Sequence, residues 1–170
     1  MDQVDTNLTD RFSGLRDLAF AMNREEIGLP TEEEPFIMVM DQFHRDGAMS
    51  LVAFSNGDAG LFHSSGTEVV GGGRHLAVAR AVRQYFEEAS RYLSGAKVVR
   101  HTNLPGAGEV HFYFRTARGN ALLKEPLNTL ENGISQMSGL FYAATAVIAE
   151  LESISGENQR RRASAVDFEL

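Results

Sequence analysis

Five histidines are the residues of this chain best suited to acid–base chemistry or metal binding. They are His44, His63, His75, His101 and His111. None of them forms a His-x-x-x-His or His-Glu-x-x-His unit, so only the tertiary fold could bring two together. His63, His101 and His111 fall in or at the end of predicted strands. If His63 and His111 share a face with Glu109, they could form an acid–base or metal-binding pair. A pocket between sheet and helices would be lined by His63, His111, Tyr113 and Arg115. The alternative interpretation is that all five histidines lie scattered on the surface.

A glycine triplet at residues 71–73 precedes a predicted helix, and glycine-rich loops before helices often bind phosphate through backbone N–H groups. A candidate anion site would therefore consist of Gly73, Arg74 and His75. The motif lacks the Lys-Ser/Thr of a P-loop and the spacing of a dinucleotide-binding fingerprint. A hinge between sheet and helix is the favoured interpretation of the triplet.

Other catalytic and metal-binding patterns are absent from the sequence. The chain has no cysteine, which excludes disulfides, thiolate catalysis, thiolate zinc sites and iron–sulfur clusters. No serine lies in a Gly-x-Ser-x-Gly elbow, and no pair of carboxylates is placed by local spacing for glycosidase chemistry. We therefore predict no cofactor, no metal and no catalytic residues, while the sequence leaves enzymatic activity open.

Charge is distributed unevenly along the 170 residues. The net charge is −7, and residues 1–46 hold 11 acidic residues against four arginines, whereas the remaining chain is balanced. A balanced or acidic surface argues against nucleic acid, because phosphate binding needs a net basic surface. No apolar run approaches the roughly 20 residues that cross a bilayer, and acidic residues stand where a secretory signal is basic. These features predict a cytoplasmic protein without a membrane partner.

The N-terminal region predicts one or two helices. Apolar residues recur at helical spacing over residues 6–28, which indicates an amphipathic helix. Thr31 and Glu34 form a capping box, which favours a second helix that ends before Gly47. The competing interpretation is a buried strand at 36–40, because a short apolar run is ambiguous by periodicity alone.

The middle of the chain predicts a hairpin followed by a long helix. Asn56-Gly57 stands between two short apolar segments and favours a tight turn. The helix predicted over residues 74–93 has a second apolar stripe, which is more than packing on one sheet requires. That stripe could be covered by the N-terminal helix or by a second copy of the chain. The predicted interface residues are Val78, Ala81, Tyr85 and Tyr92.

The C-terminal part predicts further strands at 97–101, 109–116 and 121–123, then a helix from Pro126 to Leu151. After Gly156 the pattern becomes polar. The predicted organisation is an N-terminal helical extension over 1–30, a single α+β domain over 31–155 and a disordered tail over 156–170. The predicted fold is an antiparallel five-stranded sheet with helices packed on it, in the order β-β-α-β-β-β-α.

The succession of helix, Gly47, strand, Asn-Gly-Asp turn, strand, helix, three strands and helix resembles the roadblock/LC7 group of profilin-like domains. The resemblance covers about residues 35–152 and is clearest at Gly47 to Ser65. It is a pattern of elements without a diagnostic motif, which longin domains and PAS-like sensors partly share. It implies a non-enzymatic domain that dimerises through its middle helix and regulates small GTPases or motors.

Two functions follow as expectations. The first is a non-catalytic interaction, adaptor or regulatory domain that acts through a protein surface as a homodimer. The second is a small-molecule sensor or cryptic enzyme that uses the pocket between sheet and helices. The first rests on the surplus apolar helix surface and on the absence of active-site spacing.

Overall fold

A computed structural model describes residues 6–28, 34–44 and 47–166. The described residues form α-helices, β-strands and two short 3-10 turns at 72–74 and 93–95. The helices and strands are α1 (Thr6–Ala21), β1 (Ile37–His44), β2 (Gly47–Phe54), β3 (Ala59–His63), β4 (Glu68–Val69), α2 (Leu76–Ser90), β5 (Lys97–Val99), β6 (Glu109–Thr116), β7 (Gly119–Pro126), α3 (Leu127–Glu131) and α4 (Ser138–Val166).

The strands form one antiparallel sheet, which confirms the predicted α+β class. Within the described part of the chain, seven strands pair in the order β4-β3-β2-β1-β6-β7-β5. The prediction of five strands was wrong because it omitted β1 and the two-residue edge strand β4. The short strands β4 and β5 lie at the two edges, and the longest strands lie between them.

The segment before Gly47 is the central strand β1 and not a helix. β1 pairs antiparallel with β2 on one side and with β6 on the other. Both of its faces are covered, so Ile37, Met38, Val39 and Met40 are almost fully buried. A central strand with two buried faces reads as a continuous apolar run without alternation. The capping box at Thr31 gave a false signal, and Thr31 itself lies outside the described residues.

The predicted hairpin at Asn56-Gly57 is confirmed as the connection between β2 and β3. The Gly57 N–H donates to the carbonyl oxygen of Phe54 at 2.9 Å, and the Phe54 N–H donates to Asp58 at 2.9 Å. Gly57 has a φ angle of 97°, in the region that favours glycine. This is a three-residue loop with glycine in its last position, and not a two-residue primed turn.

Helices α2 and α4 pack together against one face of the sheet. Their shared core includes Met38 and Met40 of β1, Val82 and Tyr85 of α2, and Leu140 of α4. The crossing is close: a Cβ atom at Gly139 would lie 2.6 Å from Glu88 of α2. Because α2 is held between the sheet and α4, its buried arc is wide.

The N-terminal helix α1 packs on the opposite face of the sheet, which makes the molecule three layers deep. Its side chains Phe12, Ala19 and Phe20 join a second core with Val39 and Tyr113 of the sheet. The predicted N-terminal helix is confirmed, although it ends at Ala21 and does not reach Gly28. A single helix therefore covers this face.

The C-terminal helical region consists of two helices and not one. Gly133, with a φ angle of 67°, follows α3 and reverses the chain before α4 begins. Glycine in this conformation ends helices because it carries no Cβ atom. Helix α4 then continues to Val166, so residues 156–166 are helical, where the sequence predicted a disordered tail. The final residues 167–170 lie outside the described part.

Candidate functional site

A buried ion pair joins α1 to the centre of the sheet. The Arg16 guanidinium donates to both carboxylate oxygens of Asp41, with Nη2 2.6 Å from Oδ2 and Nε 3.0 Å from Oδ2 and 3.2 Å from Oδ1. The relative side-chain exposures are 6% for Arg16 and 0% for Asp41. Burial strengthens their attraction, and loss of either charge would leave the other uncompensated. This pair therefore fixes the position of α1 on the sheet.

The neighbours of Asp41 across the strands are also polar. Ser50 of β2 lies directly opposite Asp41 and donates its hydroxyl hydrogen to the carboxylate. On the other side, His111 of β6 is the register partner of Asp41. Register partners place their side chains on one face, so Ser50, Asp41 and His111 form a row on the α1 face.

The His111 ring is held by acceptors at both nitrogens. Its Nδ1 lies 3.0 Å from the carbonyl oxygen of Asn103 and its Nε2 lies 2.5 Å from Oε1 of Glu109. Lys124 approaches the same Glu109 oxygen at 3.8 Å. Each ring nitrogen therefore lies within hydrogen-bond distance of an oxygen atom. His111 thereby ties the loop at Asn103 to β6.

Tyr113 connects the ion pair to the histidine. Its hydroxyl donates to the carbonyl oxygen of Asn103 at 2.6 Å, and its ring lies 5.1 Å from the Phe20 ring in an edge-on arrangement. The Arg16 guanidinium lies over both the Phe20 and Tyr113 rings. Burial, and then the charge of Asp41, raise the pKa of Tyr113 to about 12. The hydroxyl therefore stays protonated over the ordinary pH range.

These groups hydrogen-bond to other groups of the chain, and none of them lines the two cavities described below. Asp41, Ser50 and His111 are buried, and each of their described hydrogen bonds goes to another group of the chain. Within the described ranges, no group of three or more histidine or acidic residues could hold a metal ion. The ion pair and the hydrogen bonds of this arrangement hold α1 on the sheet.

The predicted pocket of four residues does not form. His63 is the register partner of Met49, whose side chain lies in the core beneath α2 and α4. His111 and Tyr113 lie on the opposite face, beneath α1, and Arg115 lies on that face beside the Phe36 ring. Two strands separate β3 from β6. The sequence could not show that β2 and β1 lie between the strands that carry His63 and His111.

The predicted anion site at Gly73, Arg74 and His75 already holds a carboxylate from the chain. Asp58 Oδ1 accepts hydrogen bonds from Gly73 N–H at 2.7 Å and from Ala59 N–H at 2.8 Å. A second anion would meet the Asp58 charge there. A Cβ atom at position 73 would lie 2.9 Å from the Asp58 Cα atom, so close packing explains this glycine. The hinge interpretation agrees with this geometry.

The predicted interface stripe is mostly inside the molecule. Val78 and Tyr85 have no exposed surface, and Ala81 is 8% exposed, because they face α4 and the sheet of their own chain. Tyr92 is partly buried and donates its hydroxyl hydrogen to the carbonyl oxygen of Gln136 at 2.8 Å. The sequence left open whether the N-terminal helix or a second chain covers this stripe of α2. In the structure, α4 covers it.

An apolar groove lies between α1 and the edge of the sheet at β3. Its volume is about 150 Å³, and Asp58 is the single charged residue in its lining. Two large apolar side chains of the lining are well exposed, Leu18 at 58% and Val70 at 63%. We call this feature the α1 groove. It is formed by Leu15, Leu18, Ala19, Met22, Val52, Phe54, Asp58, Ala59, Gly60, Phe62, Val70 and Gly71.

A larger cavity of about 460 Å³ lies between the β2–β3 turn and the outer side of α2. We call it the turn cavity. Residues from three parts of the chain form its walls, namely Glu34 and Pro35, residues 55–57, and one side of α2. The lining is mixed in polarity. None of the residues that the sequence singled out for chemistry contributes to it.

The sequence reasoning missed Arg16 and Asp41, the two residues on which the α1 face depends. A signal for Arg16 was present, because it stands four residues after Phe12 and four before Phe20, on the buried stripe of α1. Asp41 directly follows the apolar run of β1, which was read as a helix. Two opposite charges, each at a buried position, indicate a pair.

Comparisons with known proteins add no relative. No family model matches the chain, and neither the curated proteins nor the solved structures contain a match. Among the helices of the described residues, none is long and apolar enough to cross a membrane.

Proposed function

We propose that this chain is a non-catalytic interaction domain of the cytoplasm that binds another protein through the α1 groove. The observation that carries the proposal is the exposure of Leu18 and Val70 in one apolar groove. Isolated exposed apolar residues are ordinary, but a concave apolar patch on a protein surface is typical of protein–protein contacts. The saturation of Asp41 and His111 favours binding over catalysis.

The edge position of the groove also suits a partner. β4 is two residues long and ends the sheet, and Val70 directly follows it. A two-residue edge strand offers few backbone groups for strand pairing, so a partner would be held here mainly by side-chain contacts. A partner segment could therefore place apolar side chains between Leu18 and Val70.

The charge around the groove selects the chemistry of the partner. Asp17 lies next to Leu18, Asp58 lines the groove, and Glu68 lies two residues before Val70. Arg11 pairs with Glu68, with 2.5 Å between Nη2 and Oε1, and Arg16 pairs with Asp41. The remaining charge at the groove is acidic. We therefore propose a partner segment with apolar anchors flanked by basic residues, which acidic surroundings attract and orient.

A homodimer stays a prediction. The apolar stripe of α2 no longer supports it, because Val78 and Tyr85 are buried within a single chain. The resemblance to roadblock/LC7 domains also stays a prediction. The antiparallel sheet with α2 and α4 on one face supports a profilin-like arrangement, and the seven strands differ from the compact pattern that the resemblance implied. Regulation of GTPases or motors would follow from that resemblance alone.

Two synthetic peptides test the proposal directly. Both carry the same leucine- and phenylalanine-containing core, one flanked by lysines and the other by glutamates, and fluorescence anisotropy measures their binding to the full chain. The lysine-flanked peptide should bind more tightly, and its affinity should fall as salt rises. Leu18→Glu and Val70→Glu should each weaken binding about tenfold or more, because a charge replaces an apolar anchor.

Ile134→Glu is the matched control, since Ile134 is 75% exposed and lies outside the α1 groove. Equal binding of both peptides, or an equal loss in all three variants, would contradict the proposal. Size exclusion with light scattering tests whether a second copy of the chain occupies the groove instead. In that case the wild type would be a dimer and Val70→Glu would be a monomer.

A further inference from the structure

The turn cavity has the size and lining of a small-molecule site. Its volume of about 460 Å³ falls within the range of about 300–1,000 Å³ found for ligand pockets. Helix α2 contributes one continuous stripe to its wall, because the lining residues of this helix are spaced so that they lie on one side of it. The stripe consists of Ala79, Arg83, Phe86, Glu87 and Ser90.

One end of the cavity is closed by the turn. A Cβ atom at Gly57 would lie 3.4 Å from the Cβ atom of Ala79, so the turn and α2 are already close there. Pro35 and Phe86 provide apolar surface in the lining. A ligand that fills this space therefore needs an apolar part as well as polar groups.

Two opposite charges of the lining are available to a ligand. Among the described residues, neither the Arg83 guanidinium nor the Glu87 carboxylate takes part in an ion pair or a side-chain hydrogen bond. They are four positions apart on α2, which places their Cβ atoms about 6 Å from each other. Within a helix, an ion pair is less favourable when the basic residue precedes the acidic one, as Arg83 precedes Glu87. Both charges can therefore be directed to a bound molecule.

Two other polar residues of the lining, Ser55 and Glu34, indicate where the anionic and cationic groups of a ligand would lie. The Ser55 hydroxyl oxygen is buried without a hydrogen-bond partner in the described structure, and it lines the same cavity. It can donate to an anionic group beside Arg83. Glu34 is already held by Arg24 at 2.9 Å and by the Ala117 N–H at 2.9 Å, so its carboxylate is engaged. Glu87 is then the free anion of the site.

We propose that the turn cavity binds a small zwitterion with an apolar side chain, of the class of free α-amino acids. Arg83 and Ser55 hold the carboxylate, Glu87 holds the ammonium group, and the side chain packs on Pro35 and Phe86. Among the described residues of the cavity lining, Arg83 and Glu87 are the cation and the anion without an ion pair, and they match a ligand with one charge of each sign. This site is separate from the α1 groove, and its existence does not depend on the proposed protein partner.

Calorimetric titration of the full chain with L-leucine and L-phenylalanine tests the inference. The expected result is saturable binding of both, with no saturable binding of N-acetyl-leucine or leucinamide, which each lack one charge. Arg83→Gln, Glu87→Gln and Ser55→Ala should each weaken binding, the two charge variants by about tenfold or more. Amide NMR shifts should concentrate at residues 55–57 and on α2.

Arg80→Gln is the matched control, because Arg80 is an exposed arginine of the same helix that does not line the cavity. It should bind both amino acids as the wild type does. The inference is overturned if neither amino acid shows saturable binding up to about 10 mM, well above a Kd of about 1 mM. It is equally overturned if Arg80→Gln and Arg83→Gln weaken binding to the same extent.

Discussion

The two faces of the sheet are stabilised in different ways. Beneath α2 and α4, the described core contains 24 buried apolar residues, whereas the core beneath α1 contains ten. The smaller core surrounds the Arg16–Asp41 ion pair, to which Ser50 also bonds. On the larger face, the Tyr85 hydroxyl is buried without a hydrogen-bond partner among the described residues. One face depends on apolar area, and the other depends on matched charges.

This difference affects how each face responds to change. Apolar packing is non-directional, and swaps that keep volume are tolerated well. A buried ion pair requires both partners and their geometry, and removal of one is costly. The α1 face therefore specifies one register of α1 on the sheet, and it should be the more sensitive face to single substitutions.

The largest expected effect comes from removing one member of the ion pair. Asp41→Leu should lower the free energy of unfolding by about 3–5 kcal/mol, because Arg16 would remain buried and uncompensated. The double variant Arg16→Met/Asp41→Leu should recover most of that loss. Urea unfolding followed by circular dichroism measures both. If the double variant is as unstable as Asp41→Leu, the α1 face does not depend on charge matching.

Conservative substitutions should separate the two faces at a smaller scale. Arg16→Lys keeps the charge but loses the two parallel hydrogen bonds to Asp41, and we expect a cost of about 2 kcal/mol. Leu140→Met on the other face keeps volume and should cost less than about 1.5 kcal/mol. Urea unfolding gives both values, and hydrogen exchange of α1 amides shows whether Arg16→Lys releases that helix alone. Equal costs without α1 release would contradict the comparison.

Substitution of one tyrosine on each face should produce the smallest effect at neutral pH, and alkaline pH tests the same two side chains. The pKa of Tyr113 is raised from 10.0 to about 12, and burial raises the pKa of Tyr85 as well. Between about pH 10 and 12 the unfolded chain loses these protons while the folded chain keeps them. The unfolded state then binds fewer protons, so the free energy of unfolding falls as pH rises.

The variants Tyr113→Phe and Tyr85→Phe should each reduce this alkaline loss. At neutral pH they should differ, because Tyr113 donates to Asn103 while the Tyr85 hydroxyl has no described partner to lose. Tyr113→Phe should cost about 1 kcal/mol, and Tyr85→Phe should be neutral or stabilising. Thermal unfolding at pH 7 and at pH 11 checks both. A neutral-pH cost for Tyr85→Phe that equals that of Tyr113→Phe would weaken the contrast.

Local signals in the sequence were sufficient where one segment decides its own structure. Asn56-Gly57 predicts the β2–β3 hairpin because positive φ is tolerated by glycine, and the alternation of residues 109–116 predicts β6. The periodicity of α2 also predicted its helix. The same reasoning failed at residues 36–40, since an apolar run is compatible with a buried helix as well as with a strand covered on both faces.

The sequence by itself determined the α+β class, most of the helices and strands, and the alternation of side chains along β6. Only the tertiary structure decided which elements met: Val78 and Tyr85 became core when α4 covered α2, and two strands came to lie between those that carry His63 and His111. Only the fold joined Arg16 to Asp41, 25 residues apart. Propensity and periodicity act within a few residues, whereas burial and charge pairing depend on contacts that chain folding creates.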